Sequence, residues 1–264
     1  MMKKFIFIIL SVLTVSAYAG NVSWLRYPSI SPDGKSVVFS YGGDLYIVAS
    51  EGGEARKLTS HQAYDYSPVW SPDGKTIVFA SDRFGNFDIY KVPVKGGVPE
   101  RLTTNSAKET PWTFTADGKS ILFTARIQDP ASSVLFPKSS MTELYSVSIE
   151  GGRPQQVLAT PAEEISFVGN TGTFLYQDCK GGENIWRKHH TSSITRDIWM
   201  YDGANHTKLT DFKGEDRTPR VSADGKTVYF TSERDGSFNV YSFPIDNPSQ
   251  VKKITRHKTH PVRF

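Results

Sequence analysis

The sequence predicts an all-β protein of the β-propeller class. A motif built around Asp-Gly-Lys recurs along the chain, and alternating apolar residues follow its copies. Outside the N-terminus, no window of useful length shows apolar residues at helical spacing. The turn glycines of the five copies are Gly34, Gly74, Gly118, Gly172 and Gly225. Their spacings of 40, 44, 54 and 53 residues are typical of a propeller blade.

Each repeat predicts four short antiparallel strands. A first strand leads to the Asp-Gly turn, whose glycine tolerates positive φ, and an alternating second strand such as Thr76 to Ala80 follows. A third strand such as Asp88 to Val92 leads, through Gly-Gly in three copies, to an edge strand that ends near Leu-Thr. The predicted propeller covers residues 22–264. Its blades are expected at about 24–60, 61–104, 105–159, 160–211 and 212–256.

The residues after the fifth repeat predict the start of another blade. The segment from Thr259 to Phe264 is comparable with Tyr66 to Ser71, which opens the second blade. A propeller covers its sheet faces and edges by closing its ring. The expectation is therefore a six-bladed propeller that is truncated at the start of the sixth blade, residues 257–264.

The N-terminus predicts export. Residues 1–19 combine Lys3 and Lys4, an apolar run from Phe5 to Val15 and a small-residue site ending at Ala19. This pattern is typical of a cleaved secretory signal peptide, and the run is too short to span a bilayer. We therefore expect a periplasmic protein with a signal peptide cleaved near Ala19 and no membrane span.

Charge and cysteine content exclude several classes of function. Removal of residues 1–19 removes two lysines and no acidic residue, so the formal net charge falls from +4 to +2. A chain this close to neutral lacks the basic excess that attracts nucleic acid. The single cysteine, Cys179, has no partner for an internal disulfide.

The repeat carries a resemblance to a known group of propellers. Its pattern is Pro-x-x-Ser-Pro-Asp-Gly-Lys, followed by Ser81-Asp82-Arg83-x-Gly85-x-Phe87-x-Ile89-Tyr90 and by Gly-Gly before Leu-Thr. The second signature recurs from Ser232 to Tyr241. This pattern resembles the propeller repeat of TolB-like and tricorn-type proteins over essentially all of residues 22–264. Because the first blade begins at about Trp24, directly after the predicted cleavage site, the chain looks like the N-terminal propeller of a tricorn-type periplasmic serine peptidase.

The resemblance implies an accessory role in proteolysis. A propeller of this type would filter, channel or dock peptides, and the catalytic residues would lie outside this chain. Two alternatives remain open: a stand-alone TolB-like protein-binding propeller, and the cap of a hydrolase related to prolyl oligopeptidase or dipeptidyl peptidase. The expected partners are peptides or downstream domains of the same protein, with a homo-oligomer formed through the full-length protein. No cofactor is expected.

Two insertions predict a binding surface. Relative to the second blade, the third carries about ten extra residues between its second and third strands, and the fourth carries about thirteen. Both insertions should lie side by side at one mouth of the channel. The candidate binding residues within them are Leu135, Phe136, Trp186, Arg187, His189, His190 and Arg196. Peptide contact, docking of a following domain and self-packing remain alternative roles for these residues.

The remaining polar and aromatic signals are weaker. Tyr64 and Tyr66 occur in only one blade and are predicted to extend the same rim. The adjacent His189 and His190 lack a third ligand, so no metal site is predicted. Because an acid and an arginine recur in the same turn as Asp82-Arg83 and Glu233-Arg234, we expect a structural ion pair or a carbonyl contact there. Neither a Gly-x-Ser-x-Gly nor a His-Glu-x-x-His motif is present, and no catalytic residue is assigned.

Overall fold

The computed structural model describes residues 24–127, 141–182, 184, 187, 189–259 and 261–262. These residues form five four-stranded sheets, each with its strands paired in chain order and antiparallel. The result confirms the predicted all-β propeller of four-stranded blades. Within the described residues, no helix is long and apolar enough to cross a membrane.

Every blade has an inner strand, two middle strands and a short outer strand. The inner strands are β1 (Arg26–Ile30), β5 (Asp65–Trp70), β9 (Thr110–Phe114), β13 (Ala162–Phe167) and β17 (Asp216–Val221). The second strands are β2 (Ser36–Tyr41), β6 (Thr76–Ser81), β10 (Ser120–Ala125), β14 (Phe174–Asp178) and β18 (Thr227–Ser232). The third strands are β3 (Asp44–Ala49), β7 (Asp88–Pro93), β11 (Glu143–Ser148), β15 (Ile198–Tyr201) and β19 (Asn239–Pro244). The outer strands are β4 (Arg56–Lys57), β8 (Glu100–Arg101), β12 (Gln155–Leu158), β16 (His206–Lys208) and β20 (Lys252–Lys253).

The hydrophobic core lies between successive blades. Val38 and Leu45 of the first blade pack with Phe79 and Tyr90 of the second. Three further clusters join the second blade to the third, the third to the fourth and the fourth to the fifth. Because each sheet buries its faces against its neighbours, the blades depend on one another for stability.

The two ends of the propeller carry different connections. At one end, here called the loop face, the amide of Asp65 donates a hydrogen bond to the Gly43 carbonyl, and the Glu109 amide donates to the Phe87 carbonyl. These bonds join a second-to-third strand connection to the start of the next inner strand. The opposite end, here called the turn face, carries the Asp-Gly turns. In these turns the hydroxyl of Ser71 donates to Asp73 Oδ1 at 2.6 Å, and three other blades repeat the contact.

A bulge in the inner strands directs side chains toward the propeller axis. Tyr27, Ser67, Glu164 and Thr218 adopt positive φ at this bulge, although none of them is glycine. The equivalent residue of the third blade is Pro111, whose ring holds φ negative, and its bulge is displaced. Since the same strain recurs in four blades, it belongs to the propeller geometry.

The predicted number of blades is not confirmed. The described residues contain five complete blades. Beyond the fifth, the amide of Val262 donates to the carbonyl of Phe238 at 2.9 Å, as the Glu109 amide does to Phe87. The chain at Val262 therefore makes the hydrogen bond that opens a blade, at the position of Asp65 and Glu109. The predicted register, which aligned Val262 with Val69, is wrong, and the sixth blade stays a prediction.

Arg83 and Arg234 form structural ion pairs, as predicted, but their partners begin the inner strands, whereas the adjacent Asp82 and Glu233 accept hydrogen bonds from backbone amides. Arg83 Nη2 lies 2.8 Å from the buried carboxylate of Asp65, and Arg234 Nη2 lies 3.1 Å from the equivalent Asp216. In the third blade, Glu109 occupies the position of Asp65, and Ile127 occupies that of Arg83. Glu109 is fully buried and accepts a hydrogen bond from Thr103, but its Oε1 has no hydrogen-bond partner. Burial raises the pKa of Glu109 to about 7.

Replacement of Glu109 by glutamine should stabilise the protein above neutral pH. The folded-state pKa of Glu109 is higher than its unfolded value, so stability falls as pH rises from about 4.5 to about 7 and is level above that. The cost of the buried charge is at most about 3 kcal/mol. Urea unfolding followed by tryptophan fluorescence should show that Glu109→Gln raises the free energy of unfolding by about 1–3 kcal/mol over wild type at pH 8. At pH 4 the two proteins should have the same free energy of unfolding. As a control, Asp65→Asn removes the carboxylate that pairs with Arg83, so it should lower the free energy of unfolding at pH 8. If Asp65→Asn instead raised the free energy of unfolding, the contrast between a paired Asp65 and an unpaired Glu109 would be wrong.

Candidate binding site in the central channel

Four blades enclose a cavity of about 530 Å³ on the propeller axis. The residues that precede the inner-strand bulge line its wall: Tyr66, Thr110, Glu163 and Arg217. Lys108, Arg126 and Arg196 lie near the loop face of the same wall, because each stands at a strand end or in a connection on that side. The cavity therefore combines aromatic, hydroxyl and charged groups in one channel.

Hydrogen bonds order the fourth-blade side of the wall. Gln177 Nε2 donates to Glu163 Oε2 at 3.1 Å, and Gln177 Oε1 accepts from the amide of Thr218 at 3.0 Å. The Thr218 hydroxyl lies 2.8 Å from that of Thr231 in β18. This chain of bonds links the fourth blade to the fifth and holds the carboxylate of Glu163 toward the cavity.

Arg196 lies between two carboxylates. Its Nε is 3.7 Å from Glu163 Oε2, and its Nη1 is 3.9 Å from Glu215 Oε1. Glu215 is held more tightly by Arg217, whose Nε lies 2.8 Å from Glu215 Oε2. Arg196 is only 6% exposed, and neither its Nε nor its Nη1 makes a hydrogen bond. A buried guanidinium with open donors is suited to an additional acceptor, such as a carbonyl or carboxylate oxygen.

The third-blade side of the wall carries two cations without carboxylate partners. The Lys108 ammonium lies 5.3 Å from the ring centres of both Tyr66 and Phe87, which are cation–π contacts. Neither Lys108 nor Arg126 makes an ion pair or a hydrogen bond through its side chain with the residues that the structure describes. Partial desolvation by the channel wall, and then the charge of Arg126, lower the pKa of Lys108 from its ordinary value, while the charge of Glu163 acts in the opposite direction.

The structure places two of the predicted site residues in the cavity wall. Tyr66 lies in β5 rather than in a rim loop, it is buried, and its hydroxyl lies 2.9 Å from that of Thr110. Burial raises the pKa of Tyr66 from its ordinary value. The second predicted residue in the cavity wall is Arg196. Tyr64 remains in the loop at 38% exposure, and its ring centre is 6.1 Å from that of Tyr66.

The described part of the fourth-blade insertion is attached to the fifth blade. Glu233 Oε2 accepts a hydrogen bond from the amide of His189 at 2.7 Å, and its Oε1 accepts from the amide of His190 at 3.4 Å. His189 and Arg187 are exposed, whereas His190 is 8% exposed. None of these three residues lines the cavity. Trp186, Leu135 and Phe136 lie outside the described residues.

Sequence reasoning did not single out several residues of the cavity wall. Glu163 and Arg217 stand seven residues before the turn residues Asn170 and Asp224, just as Tyr66 stands seven before Asp73. In the fourth blade, the predicted turn glycine Gly172 is one residue out of register, because Thr171 makes the turn hydrogen bond that Gly74 makes in the second blade. Alignment at the predicted glycines would therefore have identified this channel-facing position in the second and fifth blades and missed Glu163 by one residue. No group of three or more metal-binding side chains converges within the described ranges.

A family model settles the relationship of this chain to known proteins. The model of the tricorn protease N-terminal β-propeller domain matches residues 22–264. The chain belongs to this family. The predicted resemblance to tricorn-type and TolB-like propellers is thereby confirmed.

Solved structures of this fold include tricorn and TolB chains. The tricorn protease superimposes with a TM-score of 0.74 at 23% identity, over 90% of this chain and 23% of that one. The putative TolB from Agrobacterium tumefaciens superimposes with a TM-score of 0.69 at 22% identity, over 87% of this chain and 80% of that one. At these identities the superpositions show the shared fold.

Two curated relatives match shorter segments. The uncharacterized peptidase YuxL of Bacillus subtilis (strain 168) is 43% identical over 70 residues, which are 22% of this chain and 11% of that protein. A TolB homolog of Chlorobium luteolum (strain DSM 273 / BCRC 81028 / 2530) is 49% identical over 43 residues, 16% of this chain and 10% of that protein. The matches thus span about a tenth of the length of these relatives.

Removal of the Glu233 carboxylate should release the fourth-blade insertion from the fifth blade. In Glu233→Ala, the amides of His189 and His190 lose their acceptor, so their hydrogen exchange should accelerate by about tenfold or more, as measured by mass spectrometry. The matched control is Asp82→Ala, since Asp82 is the equivalent residue of the second blade and binds the Tyr64 amide instead. Unchanged exchange at positions 189 and 190 in Glu233→Ala would contradict this attachment.

Proposed function

We propose that this chain is the N-terminal propeller of an exported tricorn-like serine peptidase and that its channel admits short peptides to the enzyme. The single observation that carries the proposal is the cavity of about 530 Å³ on the axis. Clefts of roughly 300–1,000 Å³ suit small ligands. Hydrolysis is assigned to residues outside this chain, and export is proposed from the signal-peptide pattern of residues 1–19.

The chemistry of the channel wall supports contact with peptides. A peptide backbone presents a carbonyl and an amide at nearly every residue, and each needs a partner once water is removed. The wall offers the open donors of Arg196, the carboxylate of Glu163 and the hydroxyls of Thr110 and Thr218. Trp112 and Tyr66 add aromatic surface for apolar side chains.

A stand-alone protein-binding propeller is the second candidate. The 49% identity to a segment of a TolB homolog, together with superposition on TolB over 87% of this chain, favours it. A propeller of this kind would bind its partner without cleaving it. An assay for peptide cleavage separates the two candidates.

Narrowing the channel should reduce peptide cleavage. Ala107 lines the cavity near the loop face, so Ala107→Trp should lower kcat/KM for short fluorogenic peptides by about tenfold or more in the full-length protein. Ala116→Trp is the matched control, because Ala116 is an exposed residue in the Asp-Gly turn of the same blade, on the turn face. Melting temperatures should be compared for all three proteins.

Two results would contradict the proposal. If Ala107→Trp cleaves peptides as wild type does while its fold is retained, peptides do not enter through this cavity. If the wild-type protein cleaves none of the peptides, the peptidase assignment is wrong and the protein-binding candidate is favoured.

A further inference from the structure

The repeat shows which charges the propeller itself requires. The residue after the second strand is Asp82 in the second blade and Glu233 in the fifth, and each carboxylate accepts backbone hydrogen bonds from a neighbouring loop. In the third blade this position is Arg126, a reversal of charge. Blade geometry therefore does not explain Arg126.

A second cation stands at the matching loop position. Tyr64 immediately precedes Asp65 in the second blade, and Lys108 immediately precedes Glu109 in the third. The Tyr64 amide donates a hydrogen bond to the carboxylate of Asp82. In the third blade, Lys108 and Arg126 both line the cavity, and the charge of Arg126 lowers the pKa of Lys108. The third blade thus places two like charges on the same side of the cavity at the loop face, an arrangement that costs stability.

The other charges of the cavity compensate one another. Arg196 and Arg217 are balanced by Glu163 and Glu215. Glu164 Oε2 lies 2.6 Å from Arg220 Nη2. Lys108 lies within the electrostatic influence of Glu163, but neither Lys108 nor Arg126 forms a close ion pair with a carboxylate among the described residues, so this sector carries an excess of positive charge.

We propose that Lys108 and Arg126 form a subsite for carboxylate side chains, so that the channel selects acidic peptides. The inference rests on the proposed role of the channel in peptide entry. Arg126 offers a planar pair of donors that matches a carboxylate, and Lys108 offers a point charge held on the rings of Tyr66 and Phe87. The open donors of Arg196 lie in the same cavity and supply a further contact for a second carboxylate or a carbonyl.

Binding of matched peptides tests this subsite. The full-length protein is first inactivated with a fluorophosphonate, so that peptides remain intact, and fluorescence anisotropy is measured with labelled Ala-Glu-Ala-Glu-Ala and Ala-Gln-Ala-Gln-Ala. Each peptide is used with a free and with an amidated C-terminus. The glutamate peptide should bind about tenfold or more tightly than the glutamine peptide in both terminal forms, and added salt should reduce the difference.

The variants separate the subsite from general charge. The double variant Lys108→Gln, Arg126→Gln should reduce the preference to about twofold or less. Its melting temperature should not fall by more than a few degrees, because the substitutions remove the repulsion between two like charges as well as the cation–π contacts of Lys108. Lys119→Gln removes one charge from the same blade on the turn face, where Lys119 is exposed, and should keep the preference. An equal loss in Lys119→Gln would overturn the proposal.

The remaining outcomes are decisive as well. Equal binding of the two peptides, or no binding of either, would overturn the subsite. If binding is tighter only for peptides with a free C-terminus, Lys108 and Arg126 bind the terminal carboxylate. That result would overturn the selection of acidic side chains. Cleavage of the same peptides by untreated protein is scored separately, so cleavage without charge preference refutes the subsite alone, and charge-selective binding without cleavage refutes the peptidase role alone.

Discussion

The need of each blade to cover its sheet against neighbouring blades is the constraint on which the structure depends. A four-stranded sheet with apolar residues such as Phe79 and Phe123 cannot leave both faces in water. Radial packing solves this problem and brings the inner strands together around an axis. The channel is a consequence of that packing, and the backbone bonds from Asp65 to Gly43 and from Glu109 to Phe87 set the spacing of successive blades.

Repetition within the chain provides an internal reference for structural roles. The ion pairs of Arg83 with Asp65 and of Arg234 with Asp216 occupy equivalent positions, so they belong to the blade. The third blade departs from this plan. It retains the buried carboxylate as Glu109 but lacks the arginine, and its fixed charge lies instead at Arg126, on the channel wall. The third blade therefore lacks the buried ion pair of the second and fifth blades and carries exposed cations at the loop face.

The charge pattern of the channel connects the fold to the proposed role in proteolysis. Membership of the tricorn N-terminal propeller family identifies the architecture, and many proteins with different activities share it. Function therefore depends on what the channel wall offers. Among the described residues, the cavity-lining arginines of the fourth and fifth blades lie beside carboxylates, while Lys108 and Arg126 of the third blade form no close ion pair and Lys108 lies on aromatic rings. The proposed selection of peptides by charge rests on this asymmetry.

The sequence by itself determined the four-stranded blade and its repetition along the chain. Asp-Gly turns at regular spacing, alternating apolar strands and a repeated Ser-Asp-Arg or Ser-Glu-Arg signature depend on local backbone geometry, which neighbouring residues specify. Of the candidate site, the sequence singled out Tyr66 and Arg196, because one interrupts the repeat and the other lies in an insertion. Only the tertiary structure brought Lys108, Arg126 and Glu163 into one cavity. Lys108 and Arg126 flank two antiparallel strands at the same end of the third sheet, whereas Glu163 comes from the fourth blade. Their proximity to Glu163 depends on how the blades pack around the axis.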